Sequence, residues 1–243
     1  MTQSMSHDDR PGRLHDALGV VAVVLLLLGP LLARLRLVPP MLGFVPLAIG
    51  GLLALVVAAM ALLRAGRGRG LGGPGTWAAL AGAAVFVVLA ARSIGAPRIN
   101  DFTTDPADPP RFAHAATDPA NAGRDLGYPA AFGDDQRACC ADLAPARVAR
   151  DPEATYALAV AAAAAMPRWT VTRSDPQAGE VEAVAESIVF GFKDDVIVRV
   201  RPDPAGGSRV DVRSKSRDGK GDLGANAARI RAYLAALTAS AGS

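Results

Sequence analysis

Twenty-three consecutive residues, Met41 to Leu63, carry no charged side chain. Crossing the hydrocarbon core of a bilayer takes about 20 helical residues, and a helix with no polar face has no stable place on the surface of a water-soluble fold. The run therefore predicts a membrane span. Two further apolar runs flank it, Ala17 to Ala33 and Trp77 to Ala91. The first meets the lower length limit of about 17 residues and contains Pro30, which a transmembrane helix tolerates as a kink. The other is short and Ala-rich, with Trp77 and Arg92 placed at its ends as interface anchors. Arg10 and Arg13 ahead of the first run would also suit a secretory signal peptide. After Leu32, however, the chain reads Ala33-Arg34-Leu35-Arg36, with no small-x-small cleavage site, so a retained helix is expected.

Charge separates the chain into two parts. Residues 1–97 hold 8 Arg against 3 Asp, and the remainder holds 18 Lys or Arg against 20 Asp or Glu. The basic balance thus belongs to the apolar part, and the rest is slightly acidic, which excludes a nucleic-acid footprint. Composition also excludes a wholly disordered chain, a disulfide-stapled miniprotein and a collagen-like fibre. Five Arg lie on the side of the amino terminus and the second loop (Arg10, Arg13, Arg64, Arg67, Arg69). Four lie on the other side (Arg34, Arg36, Arg92, Arg98). By the positive-inside rule the amino terminus is cytoplasmic and the chain after the third span is outside.

From Ala96 to Asp151 the chain is rich in Pro, Asp and Ala and shows no sustained period. Residues 98–150 are therefore expected to form an extended Pro/Asp-rich linker belonging to the soluble domain. A patterned region follows. Asp151-Pro152-Glu153 reads as an N-cap, a first-turn Pro and an acid at the positive end of a helix that stops before Pro167. Trp169 and Val171 alternate with Thr170 and Thr172. Val181, Ala183 and Ala185 then alternate with Glu180, Glu182 and Glu186. Val196, Val198 and Val200 alternate with Ile197, Arg199 and Arg201, and Val210 and Val212 with Arg209, Asp211 and Arg213. Gly206-Gly207 joins the last two strands as a hairpin. A closing helix opens at Asp222, with Ala227, Ile230, Leu234 and Leu237 on one face. The expected fold class is thus a three-span membrane domain over residues 1–97 plus an α+β domain over residues 151–243. The latter would be a four-stranded antiparallel sheet with two helices on its Val-lined face.

Several stretches resemble the DUF1499 family: Ile99-Asn100-Asp101-Phe102-Thr103-Thr104-Asp105, Phe190-Gly191-Phe192-Lys193-Asp194-Asp195-Val196, Arg209 to Arg217, and Asp222 to Ile230. They occur in order and span most of residues 98–238. The resemblance implies a bacterial envelope or plastid protein with amino-terminal spans and no defined activity. Two positions depart from the family pattern. Gln136 is followed by Arg137-Ala138-Cys139-Cys140 instead of an aromatic and a proline. Gly219-Lys220-Gly221 precedes Asp222 where a Ser is common.

Candidate chemistry is sparse. Cys139-Cys140 could form a vicinal disulfide, take a soft metal, bridge two chains or be two small packed residues. Asp101, Asp105 and Asp108 could gather round a hard cation or serve as turn caps. Lys193, Asp194 and Asp195 are expected at the tip between the second and third strands. Neighbours on a strand point to opposite faces, so both carboxylates do not readily attend one substrate. Arg199, Arg201, Arg209, Arg213 and Lys215 form a row suited to an anion, or to ion pairs with Glu180, Glu182, Glu186 and Asp211. Arg217 reads as a turn residue beside that row. Ile188, Phe190 and Phe192 continue the parity of the charged face, so either a bulge near Ser187 or Gly191 returns them to the core or they form an exposed contact patch. No nucleotide-binding, nucleophile-elbow or zinc-hydrolase motif occurs, and no cofactor or metal is expected.

The sequence therefore predicts a multi-pass inner-membrane protein with a periplasmic domain. Its role is expected to be non-catalytic: interaction or ligand binding, with the bilayer and an envelope protein or anionic ligand as partners. Phe190, Phe192, Lys193, Asp194, Asp195, Arg199, Arg213 and Arg217 are the expected contact residues. The competing expectation is an envelope hydrolase using Asp194 or Asp195 with an Arg199 anion clamp. A third is a structural subunit whose small-residue face, Gly50-Gly51-Ala54-Ala58, packs against another membrane protein.

Overall fold

The computed structural model describes residues 10–94 and 97–242. These residues fall into two units: those up to Ile94 together with Ile188–Gly191, and the remainder.

The first unit is helical. Helices α1 (Arg10–Arg34), α2 (Pro40–Gly66) and α3 (Pro74–Ser93) contain the three expected apolar runs. Each is long and apolar enough to cross a membrane. The side chains of Arg10 and Arg92, read above as a positive flank and an interface anchor, lie outside the described residues. The helices meet backbone to backbone. A Cβ at Gly29 of α1 would stand 2.1 Å from the carbonyl oxygen of Gly43 in α2, and one at Gly19 2.2 Å from that of Gly75 in α3. Small residues allow such close approach between helices. The Gly50-Gly51-Ala54-Ala58 face is occupied inside this bundle: Gly50 faces Ala22 and Leu26, and Gly51 lies against the ring of Phe86. Asp16 of α1 caps α3, accepting from the Gly73 and Thr76 N–H groups at 3.0 Å and the Thr76 hydroxyl at 2.6 Å.

The second unit is α+β, with six strands instead of the expected four. In chain order these are β1 (Asp101–Thr103), α4 (His114–Thr117), a 3-10 turn (Pro119–Asn121), α5 (Phe132–Cys140), β2 (Ala146–Val148), α6 (Pro152–Ala165), β3 (Trp169–Asp175), β4 (Glu180–Glu186), β5 (Lys193–Pro202), β6 (Ser208–Ser216) and α7 (Ala225–Ala241). The sheet order is β1-β6-β5-β4-β3, and β2 also pairs with β6. All pairings are antiparallel, β1 and β2 taking the two ends of one edge of β6. The stretch expected to be an extended linker thus supplies two strands, each too short to show a period.

The patterned elements form where expected. Asp151 caps α6 through the Ala154 N–H at 2.8 Å, and Met166, just before Pro167, is extended and ends it. Val181, Ala185, Val196, Val198, Val200, Val210 and Val212 form the core with Ala159, Ala163, Ile230, Tyr233 and Leu237 of the two helices. Trp169 stacks on Tyr233 with ring centroids 5.4 Å apart. Helix α7 begins at Ala225, three residues after its expected start. Asp222 still serves its first turn, accepting from the N–H groups of Gly224 and Asn226.

Two local expectations change. The irregular register lies in β3 between Val171 and Arg173, not beside Ser187. Strand β4 stops at Glu186 and β5 starts at Lys193, so residues 188–190 form a turn and neither continue the strand nor return to the core of the sheet. Within the helical unit, Phe190 stacks on Phe44 of α2, centroids 4.2 Å apart and planes 12° from parallel. Phe192 is half-buried.

Candidate functional site

Strand alternation sends Glu182, Asp195, Arg199, Arg201, Arg209, Asp211, Arg213 and Lys215 to the sheet face opposite α6 and α7. That face is not open to solvent as a row of free donors. The chain between Thr104 and Gly127 lies over it, held by charge. At the centre Arg213 (1% exposed) donates to Asp101 (fully buried) through Nε at 2.9 Å and Nη2 at 2.7 Å. Lys215 adds a third donor to Asp101 at 2.9 Å. The guanidinium also reaches the carbonyls of Pro110 and Leu126. It sits 4.8 Å from the Phe112 ring centroid and 5.6 Å from that of Tyr128, so cation–π attraction adds to the pairing. Burial beside Asp101 pushes the Tyr128 hydroxyl up to about 12.

Three further charge centres tie the covering segment down. Asp211 meets Arg199, Arg201 and Arg209, which in turn hold Asp108 and Asp105. Asp195 pairs with Arg217 at 2.6 Å and Arg124 at 3.3 Å and accepts from Asn121, while Arg217 also reaches Asp118. Glu182 accepts the backbone N–H groups of Ala113, His114 and Ala115 at 2.7–2.9 Å. Between these centres Ile197 forms an apolar plug with Phe112, Ala115 and Leu126.

The helix side of the same sheet end holds a second polar cluster. Asp194 pairs with Arg229 of α7. The Ser214 hydroxyl donates to Asn226 Oδ1 at 2.6 Å and accepts from Arg229 at 2.9 Å, and Asn226 Nδ2 donates to Ser216 at 2.9 Å. Burial raises the Asp222 carboxyl above the usual carboxylate range, against the two N–H groups it accepts. Side chains this deeply buried and this completely bonded fix the packing of α7 on β5 and β6.

Of the expected contact residues, Asp194, Asp195 and Arg213 are buried in these clusters, and Arg199 and Arg217 are nearly so. Lys193 is exposed at the start of β5. Asp194 and Asp195 lie inside the ladder, opposite Ser216 and Lys215, and not at a hairpin tip. They point to opposite faces, as strand geometry requires. Glu180 and Glu182 pair with Arg173 of β3 and not with the Arg row. Asp101, Asp105 and Asp108 are drawn apart, each to its own Arg or Lys. Among the described residues no group of three or more His, Cys, Asp or Glu is placed to hold a metal. Cys139 and Cys140 are bonded to each other at the end of α5. Two clefts of about 520 and 570 Å³ are lined around Tyr156, Gly179 and Arg201 and around Arg150 and Gly206.

Sequence reasoning missed Asn121, Arg124, Asp118, Asn226 and Arg229 as parts of these clusters. A signal was present: the four acids of residues 101–118 equal in number the four Arg of β5 and β6, so the segment was a natural counter-charge for the strands.

These pairs set an acid response. Asp108 is held below the usual carboxylate value of 3.8 chiefly by its hydrogen bond from Arg201, and Asp118 by the N–H of Ala120 and then by Arg217. Both therefore stabilise the fold above pH 3.8, a contribution lost as pH falls through their lowered values. Asp222 works in the opposite sense, favouring the fold more as it is protonated. Hydrogen exchange is expected to show residues 104–127 losing protection below pH 3.8 while the N–H groups at the start of α7 keep theirs. Simultaneous loss would contradict the assignment.

Comparison with protein-family models matches residues 101–237, more than half of the chain, to the family described as "Protein of unknown function (DUF1499)". Comparisons with curated proteins and with solved structures gave no match.

Proposed function

The chain belongs to the DUF1499 family, and on that premise we propose that it is a membrane-tethered, non-catalytic interaction module of the bacterial envelope. Its α+β unit would stand on the periplasmic side of the inner membrane, and its contact element would be the connection between β4 and β5. One observation carries this reading. The buried charged groups of the sheet are committed to one another in holding the covering segment and α7, whereas Ile188 and Val189 at the connection are 66% and 51% exposed. Contiguous exposed apolar side chains mark contact sites. The hydrolase reading has less support. Asp194 and Asp195 are separated by the sheet, and Arg199 reaches Asp108 and Asp211 instead of either. An anionic ligand would have to displace those carboxylates from their Arg partners.

A full-length chain carrying a periplasm-specific reporter after Ser243 tests the proposal in a host lacking its own copy. The reporter is expected to be active, and the chain to restore envelope integrity. The same chain with Ile188→Ser and Val189→Ser should reach normal abundance and fail to restore it. A silent reporter overturns the location, and full rescue by the double variant overturns the contact element.

A further inference from the structure

We propose that the turn Ile188–Gly191 is a lipid anchor, lying in the boundary region of the bilayer beside the first turns of α2. This rests on the reading of that turn as the contact element and of the three helices as membrane spans. The turn is built to project. The Ser187 N–H donates to the Phe192 carbonyl at 2.8 Å, and the Phe192 N–H donates to Ser187 Oγ at 2.9 Å, closing its base. Gly191 takes φ +70°, a conformation that side chains other than glycine's rarely adopt, and turns the chain back. Between these ties stand Ile188, Val189 and Phe190, with no polar side chain among them.

Phe190 fixes the depth. It is 8% exposed and stacked on Phe44. A Cβ at Gly43 would stand 3.2 Å from the ring, so glycine there leaves the ring its place. Phe44 is four residues beyond Pro40, roughly 6 Å along the helix axis at 1.5 Å per residue, near the level where aromatic rings settle at a membrane boundary. Ile188 and Val189 share the exposed apolar character of Met41, Leu42 and Val45 in the same turns of α2. Side chains of that kind stay in water at a cost and are satisfied in the acyl boundary.

The test uses the full chain with Val189→Cys, carrying an environment-sensitive fluorophore, in vesicles of phosphatidylethanolamine and phosphatidylglycerol. Cys139 and Cys140 are bonded to each other and stay unlabelled. Ile188→Cys serves as a second labelling position, and Ala205→Cys, in the exposed β5–β6 turn, as the control. The expected result is blue-shifted emission at Val189, most of it lost to lipids quenched near the headgroup. Less should be lost to lipids quenched at the chain end, and little at Ala205. Water-like emission quenched only by aqueous iodide overturns the proposal. So does shifted emission that lipid quenchers leave untouched and that fades as protein is diluted into lipid, which would put a second copy on the turn. If either result occurs while the Ile188→Ser, Val189→Ser chain still fails to restore the envelope, the interaction reading stands without lipid. If that chain restores it, both readings fall.

Discussion

Asp101→Ala is expected to destabilise the α+β unit by about 3–5 kcal/mol, the usual loss when one partner of a buried ion pair is removed. The residue is fully buried and accepts from both Arg213 and Lys215. Without it two cations remain in a region closed to water. The guanidinium of Arg213 keeps its charge, as guanidinium groups do in proteins. Its remaining partners, the carbonyls of Pro110 and Leu126, belong to the covering segment, so that segment should loosen first. Arg213→Met should cost less, since Lys215 still serves Asp101 and a thioether chain fills the slot between Phe112 and Tyr128. Denaturant melts of the full chain in detergent, followed by Trp169, check both. A loss below about 1 kcal/mol for Asp101→Ala would mean that the centre is wetter than the structure has it.

The helical unit should be as sensitive to one added methyl group. Gly29→Ala would bring a Cβ to 2.1 Å from the Gly43 carbonyl oxygen, a backbone atom that no rotamer change moves. The pair α1–α2 must separate, and the packing lost along the seam is the cost. A cost of about 3 kcal/mol is expected, at the upper end for overpacked sites, seen as a lowered midpoint in detergent-driven unfolding and a longer distance between labels on the two helices. Gly66→Ala, where an added Cβ meets nothing within 4 Å, is the control and should leave both unchanged. Equal behaviour of the two variants would show that the helices are not in backbone contact at Gly29.

The elements legible in the sequence are those that carry their own period. Three uncharged runs, four alternating strands and the closing helix each carry their own pattern, and the structure places them so. The Asp151 cap and the stop at Pro167 are local chemistry and were equally readable. Strands β1 and β2 were not, because three residues hold no period; they are strands only because β6 offers an unpaired edge. The same limit hid the site. Alternation gave the direction in which Arg199, Arg213 and Asp195 point, but not that a segment 74–112 residues earlier would lie over them. The turn at Ile188 failed for another reason: strand parity was carried past Glu186, where the Ser187–Phe192 hydrogen bonds end it.

The pairing of β1 and β2 with β6 also dictates an order of assembly. Asp101 lies opposite Lys215, so the first strand made after the third helix has no ladder partner until the last strand leaves the ribosome. At about 5–20 residues per second that wait is on the order of 10 s. Until then Asp101 lacks Arg213 and Lys215 and Asp105 lacks Arg209, and two nascent edges stand open. Proline and aspartate disfavour strand stacking between chains. The composition that gives residues 98–150 the look of a linker thus keeps the waiting stretch from aggregating before β6 arrives.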